Sequence, residues 1–592
     1  MKQFFKFTLA SALGTILVFV IGFFFLMGML ISSISSLSSE STPTIVENSI
    51  LRMKFDYEIT DRTNTDEFGL SSFDFAAMKG KDNTGMYDII KNIRRAAEDP
   101  KITGIYLDIS QVATSTAILQ EIRKELVDFK KSGKFIVSYS ETYTQGAYYL
   151  ASVADKIYIN PSGMLDLHGM ASQIMFYKNM LDKLDIDVQI IRGPNNKFKS
   201  AVEPYFLDKM SEANREQMER LLNSVWFEIV SEISESRNIS VERLNEIADN
   251  LETYFDAEAA LTTGLVDGLR YKDEIIEELK TLSGCNDKLH IVENGEYSRT
   301  ENISSSKNEV AIIYAVGEIR SGEGSSSVIG SESLSRSLRK AREDKNIKAV
   351  VMRVNSPGGS ALASEVIRRE VELTLIEKPL IVSMGGYAAS GGYWISANAD
   401  RIFADPTTLT GSIGVFGLFP NLQGFMNNKI GLTFDVAKTN KNADFGTLMQ
   451  PLTETQHMAL QQNVVKTYND FTTLVAENRN LRQSYVDSIG QGRVWSGVDA
   501  IEIGLVDELG GLDNAIDYAA KLAGIENDYK VVELPKQKDI FTQLLESGNK
   551  DKEIQNAIKT KMGPYYHYFE VLEQLSNTDE IQARLPFNMS IQ

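Results

Sequence analysis

A chain of 592 residues is long enough for several domains, and 43% hydrophobic with 24% charged residues is ordinary globular composition rather than that of a disordered tail. A net charge of −19 argues against a nucleic acid partner and gives no pull toward anionic lipid, so any membrane attachment has to be hydrophobic. The single cysteine, Cys285, excludes an intrachain disulfide, and the scattered His168, His290, His457 and His567 form no ligand cluster or triad motif, so neither metal nor cofactor is expected.

At the N-terminus, Leu9 to Ile31 lie inside a longer uncharged run from Phe7 to Ser39. Twenty-three helical residues reach about 35 Å, enough to cross a bilayer core. Lys2 and Lys6 precede the run, while serines and Glu40 follow it, which puts the N-terminus in the cytoplasm and the bulk of the chain outside. A cleaved signal peptide would have an apolar core of about 7–15 residues and a small-x-small site. This run is longer and no Ala-x-Ala follows, so an uncleaved anchor is expected, with residues 32–44 as a flexible tether.

Beyond the tether the chain repeats itself. Ile93 to Ser110 (IRRAAEDPKITGIYLDIS) aligns with Leu338 to Asn355 (LRKAREDKNIKAVVMRVN), so that Ala97 falls on Arg342, a shift of 245. Thr144 to Pro161 aligns with Ala389 to Pro406 at the same shift, and TTGLVDGL (262–269) with EIGLVDEL (502–509) at 240. Each copy alternates helix and strand. In the second, strands are expected at 309–316, 348–354 and 379–384 and at RIFAD, with helices over SLSRSLRKARED and over 361–375. Such alternation predicts an α/β fold with parallel sheets and right-handed crossovers. The predicted organisation is an anchor and tether over 1–44, a first repeat over 45–293, a polar linker over 294–307, a second repeat over 308–535 and a charged helical tail over 536–592.

Three segments carry chemistry. In SMGGYAASGGYW (383–394) a strand is expected to end at Met384, Gly385 and Gly386 to turn, and Ser390 to sit among small residues at a helix start. That geometry exposes a nucleophile; a serine capping a helix would read the same way. In NSPGGS (355–360), directly after a strand, Gly358 and Gly359 offer backbone N–H groups to an oxyanion, though a plain strand–helix turn has the same composition. In NKFKSAVEP (196–204), Lys199 has moderately apolar neighbours, whereas Lys197 fits a solvated role; lysine is a general base only when burial or neighbours lower its pKa.

Together, KSAVEP at 199–204, NSPGGS at 355–360, SMGGYAASGGYWIS at 383–396 and LTGSIGVFG at 409–417 resemble the long, two-domain form of signal peptide peptidase A, over nearly the whole chain. The resemblance implies two duplicated ClpP/crotonase-like domains behind a single transmembrane helix. It implies a serine endopeptidase of the bacterial cytoplasmic membrane, with its catalytic domains on the periplasmic side. The implied substrates are cleaved signal peptides and other unfolded or apolar peptides, and the implied assembly is a homotetramer. It carries the nucleophile onto Ser390, the base onto Lys199, oxyanion N–H donors onto Gly359 and Gly391, and an amine-orienting role onto Ser412. A groove lined by Tyr387, Ala388 and Ala389 would suit small or apolar side chains. The rival readings are a crotonase-like acyl-CoA enzyme, which shares glycine-rich oxyanion loops, and a non-catalytic membrane scaffold.

The alignment of the copies adds a point of its own. Ser390 falls on Gln145, and Asn355-Ser-Pro-Gly-Gly on Ser110-Gln-Val-Ala-Thr, so the first copy lacks nucleophile and glycines. The second copy lacks a KSAVEP; its nearest stretch is NADFGTLMQP. A complete site therefore needs both.

Overall fold

The computed structural model describes residues 44–63, 84–285, 287–300, 305–325, 327–536 and 581–584, with scattered positions between 6 and 25. The first half builds a parallel sheet from β1 (Ser49–Met53), β2 (Ile102–Leu107), β3 (Phe135–Tyr143), β4 (Lys156–Leu165), β6 (Gly268–Leu269) and β7 (Ile291–Glu293). Their order is β6-β4-β3-β2-β1-β7. The second half uses β8 (Glu309–Val316), β11 (Ile347–Ser356), β13 (Leu380–Ala389), β14 (Arg401–Ala404), β18 (Glu508–Leu509) and β19 (Lys530–Leu534). These run β18-β14-β13-β11-β8-β19, the same order and again parallel. Two further strands, β15 (Leu409–Gly411) and β17 (Val494–Ser496), extend the second sheet beyond the tip of β13.

The sequence explains these sheets. A parallel strand is covered on both faces, so it reads as a continuous apolar run. Val310, Ala311, Ile312, Ile313 and Ala315 of β8 are fully buried accordingly. The repeated GLVD segments are latches. Tyr148 donates to the Leu265 carbonyl and Tyr393 to that of Leu505, each at 2.8 Å. Asp267 and Asp507 likewise accept from the Ile157 and Ile402 amides, each at 2.8 Å. Repetition in sequence is thus repetition of tertiary hydrogen bonds.

A third sheet joins the halves. It holds β5 (Asp187–Arg192) from the first, β9 (Glu318–Arg320), β10 (Val328–Gly330), β12 (Gly358–Ser360) and β16 (Phe416–Asn421) from the second, and β20 (Ile581–Arg584) from the tail. The order is β10-β9-β12-β20-β16-β5.

Several expectations change. β13 does not end at Met384; it continues to Ala389, and Gly385-Gly386 form a bulge that shifts its register against β11. The Asn355 side chain accepts from the Tyr387 amide at 3.1 Å, replacing the missing ladder bond. The stretch 294–307 opens as a short helix, Asn294–Ser298, with Asn294 and Tyr297 buried. The tail is described only at 536 and at 581–584, and the latter is strand rather than helix. The anchor over 9–31 lies mostly outside the described residues. Positions described there, including Leu17, Val18, Phe19, Ile21 and Phe25, are helical with exposed apolar side chains. Among the described residues no helix is long and apolar enough to cross a membrane.

Candidate active site

The β5·β16 pairing, antiparallel from Asp187 opposite Asn421 to Arg192 opposite Phe416, carries the first half onto the second just before KSAVEP. Buried Glu203 holds that turn, accepting from the Ser211 amide at 3.2 Å, the Ser211 hydroxyl at 2.6 Å and Asn214 Nδ2 at 2.9 Å. Pro204 sits in the first turn of the short helix Glu203–Phe206. A second-half loop clamps the other side. The Phe198 amide donates to Gln491 at 3.0 Å, that of Gly492 to Ile413 at 2.8 Å and that of Ser412 to Arg493 at 2.7 Å. Gln217, from the first-half helix Glu212–Arg237, accepts from the Val494 amide at 2.8 Å.

Ser390 stands between β13 and the helix Gly391–Ser396 at φ 56° and ψ −113°. A side-chain-bearing residue reaches this region at a cost of about 1–3 kcal/mol, the strain seen at exposed nucleophiles. Its amide is held by the Gly411 carbonyl at 2.8 Å.

Lys199 is fully buried, and its Nζ lies 2.8 Å from Ser390 Oγ. The same nitrogen is 3.0 Å from both the carbonyl oxygen and Oγ of Ser412. Among the described residues no carboxylate pairs with it, and burial alone drives its pKa well below the ordinary lysine value. A neutral amine has two N–H bonds and one lone pair. Three neighbours satisfy it when Ser390 donates to the lone pair and both N–H bonds point at Ser412. That is the protonation pattern a general base needs before it acts.

The glycine loops meet beside the serine. Gly358 and Gly359 have φ of 100° and 153°, and a Cβ on Gly359 would lie 2.1 Å from the Ile319 carbonyl oxygen of β9. A Cβ on Gly358 would lie 2.8 Å from the Gly391 amide nitrogen, so the candidate oxyanion segments touch. Lys197 is largely exposed, as expected for a solvated residue. Ala388 and Ala389, expected to line a groove, are instead fully buried within the sheet; Tyr387, paired with β15 alongside them, is part-exposed.

Two features escaped sequence reasoning. The first is Gly492, where a Cβ would come within 2.4 Å of Lys199 Cβ; only glycine lets the lysine stem pass. The second is a buried charge cluster under the NSPGGS loop. Arg353 donates to Asp61 at 2.7 Å, to Ser383 at 2.8 Å and to Glu121 at 2.6 Å, and Asn355 donates to Asp61 at 2.6 Å. Asp61 and Glu121 belong to the first half, so its acids hold the strand that leads into the second half's loop. Burial and the adjacent Glu121 push the Asp405 carboxyl well above its ordinary range. In the first half, Gln145 occupies the position aligned with Ser390. Its Oε1 accepts from the His168 and Gly169 amides at 3.2 and 3.0 Å, filling the corresponding place with a fixed amide.

Residues 128–286 and 372–526 match Peptidase family S49, one segment in each half. The chain is 36% identical over 528 residues to "Protease 4" of Haemophilus influenzae, covering 86% of this chain and 84% of that protein. It is 33% identical over 526 residues to "Serine protease SPPA, chloroplastic" of Arabidopsis thaliana, covering 86% and 75%. To "Putative signal peptide peptidase SppA" of Enterococcus faecium it is 36% identical over 185 residues, covering 31% and 54%.

Proposed function

The chain belongs to peptidase family S49 and is a serine-type protease; on that footing we propose that it cuts peptides with a Ser–Lys dyad, Ser390 attacking and Lys199 serving as base. The observation that carries this reading is the 2.8 Å contact between a fully buried amine and a strained serine. Lys199 takes the Ser390 proton as Oγ attacks the peptide carbonyl. The N–H groups of Gly359 and Gly391 hold the oxyanion, each contributing on the order of 3 kcal/mol. Lys199 then returns the proton to the leaving amine, and water hydrolyses the ester by the same route. Ser412 aims the amine throughout, through its carbonyl and hydroxyl.

The substrates we assign are signal peptides left in or at the membrane, cut by an enzyme tethered beside them through residues 9–31. The charge-free N-terminal run, the exposed apolar side chains described within it and the similarity to the Enterococcus faecium putative signal peptide peptidase support this. Ser390→Ala and Lys199→Ala should each abolish cleavage of an unfolded protein such as casein, with unchanged circular dichroism. Turnover within about tenfold of the parent in Lys199→Ala would remove the dyad.

A further inference from the structure

The turn between β14 and β15, residues 405–408, leads straight into the segment that holds both members of the dyad. The Gly411 carbonyl takes the Ser390 amide, and Ser412 takes the Lys199 amine. A first-half helix, Thr116–Phe129, is fastened to this turn by two consecutive residues. Gln120 Oε1 accepts from the Thr407 amide at 3.1 Å and from its hydroxyl at 2.6 Å. The next residue, Glu121, meets Asp405. The turn is itself tied down: the Asp405 amide donates to Thr408 Oγ1 at 3.1 Å, and the Thr408 hydroxyl donates to the Gly385 carbonyl at 2.8 Å.

Glu121 and Asp405 have opposite surroundings. Glu121 is well supplied with donors. Its Oε1 accepts from Arg353 at 2.6 Å, and its Oε2 from the Leu512 amide at 2.6 Å, at the start of the helix Leu512–Leu522. Both favour the ionised form. Asp405 is buried, and among the described residues no donor reaches its Oδ2. Its side chain is in hydrogen-bond contact with that of Glu121, a bond that two carboxylate anions cannot make without a proton. Burial and the charge of Glu121 both favour that proton on Asp405. The cations that oppose this are engaged elsewhere, Arg353 with Asp61 and Glu121, and Lys124 with Asn514 at 3.0 Å. Asp513, which also faces Glu121, pairs with Arg94 at 2.8 Å. In the first copy the aligned residue is Asn160, the uncharged isostere of a protonated aspartate.

We propose that Asp405 is an un-ionised acid whose O–H donates to Glu121, and that this bond is a positioning device for the active site. It holds the turn that carries Gly411 and Ser412 to the same carboxylate that holds Arg353 under the NSPGGS loop. One first-half side chain thereby sets the amine-aiming segment and the oxyanion strand against each other. The positioning role rests on Ser412 aiming Lys199; the protonation of Asp405 does not.

The test compares the full chain with Asp405→Asn and Asp405→Leu, with folding checked by circular dichroism. At pH 7 the infrared difference between parent and Asp405→Asn should contain the C=O band of one un-ionised carboxylic acid, present only in the parent. A carboxylate band in its place overturns the proposal. Asparagine keeps an N–H donor for Glu121, whereas leucine fills the space without one. On casein, Asp405→Asn should keep kcat within twofold of the parent, and Asp405→Leu should lose about tenfold in kcat with KM within twofold. Equal kcat in the two variants rules out the positioning role. Failure of the dyad itself is read separately, as turnover surviving in Lys199→Ala.

Discussion

At the residue scale the chemistry turns on one amine. Keeping a lysine neutral at pH 7 costs about 4–5 kcal/mol relative to an ordinary lysine, and the three contacts of Lys199 offset part of that. The sign follows from proton counting. The folded pKa lies below the unfolded one, so the folded chain binds fewer protons in the window between them, and stability rises as pH rises toward about 10.4. Lys199→Met keeps the stem and removes the titration. It should raise the urea midpoint at pH 7, flatten its rise between pH 7 and 9, and leave no proteolysis. A lower midpoint at pH 7 would mean that the amine is not held neutral. The sequence pointed to Lys199 through its motif, but its burial was not readable, because the residues against it, Ser390, Ser412, Gly414 and Gly492, lie in the other half of the chain. Gly492 has no local signature: its need for a bare Cα arises only where a stem from nearly 300 positions earlier crosses it.

At the element scale, two devices bring the dyad together, the β5·β16 pairing and the cluster around Arg353. The strands of the second half were legible from their apolar runs: β8 spans the residues expected, and the helix Ala361–Leu375 matches its predicted bounds. The extension of β13 through Gly385-Gly386 was not, since two glycines read locally as a turn and only the Asn355 contact across the bulge reveals the strand. Nor was the ion cluster, whose members sit at 61, 121 and 353 with no common pattern. Removing the cation would leave two buried acids without their counter-charge. Arg353→Leu should therefore destabilise the chain by about 3–5 kcal/mol, measured by urea denaturation, and combining it with Asp61→Leu and Glu121→Leu should restore most of the loss. A single variant as stable as the parent would show that the cluster holds nothing together.

At the scale of the whole molecule, duplication became division of labour. Two sheets share one strand order, yet the first half has a glutamine where the second has the serine, and only the first has the lysine. That complementarity was visible in the sequence; whether the partners meet inside one chain was not, and within this chain they stand in hydrogen-bond contact. Coexpressed Ser390→Ala and Lys199→Ala chains should therefore stay inactive on casein, because each chain closes its own site. Recovery of about a quarter or more of parental activity would indicate a dyad shared between chains. The acyl-CoA and scaffold readings give way to a serine-type protease on the family match in both halves.

The most direct measurement is the rate at which a fluorophosphonate labels Ser390 as a function of pH, in the parent and in Lys199→Met. The rate in the parent should climb tenfold per pH unit and level off well below pH 10, following deprotonation of Lys199, with labelling of the variant at least a thousandfold slower. Equal rates in the two proteins, or a parental rate still climbing at pH 10, would contradict a neutral Lys199 as the base.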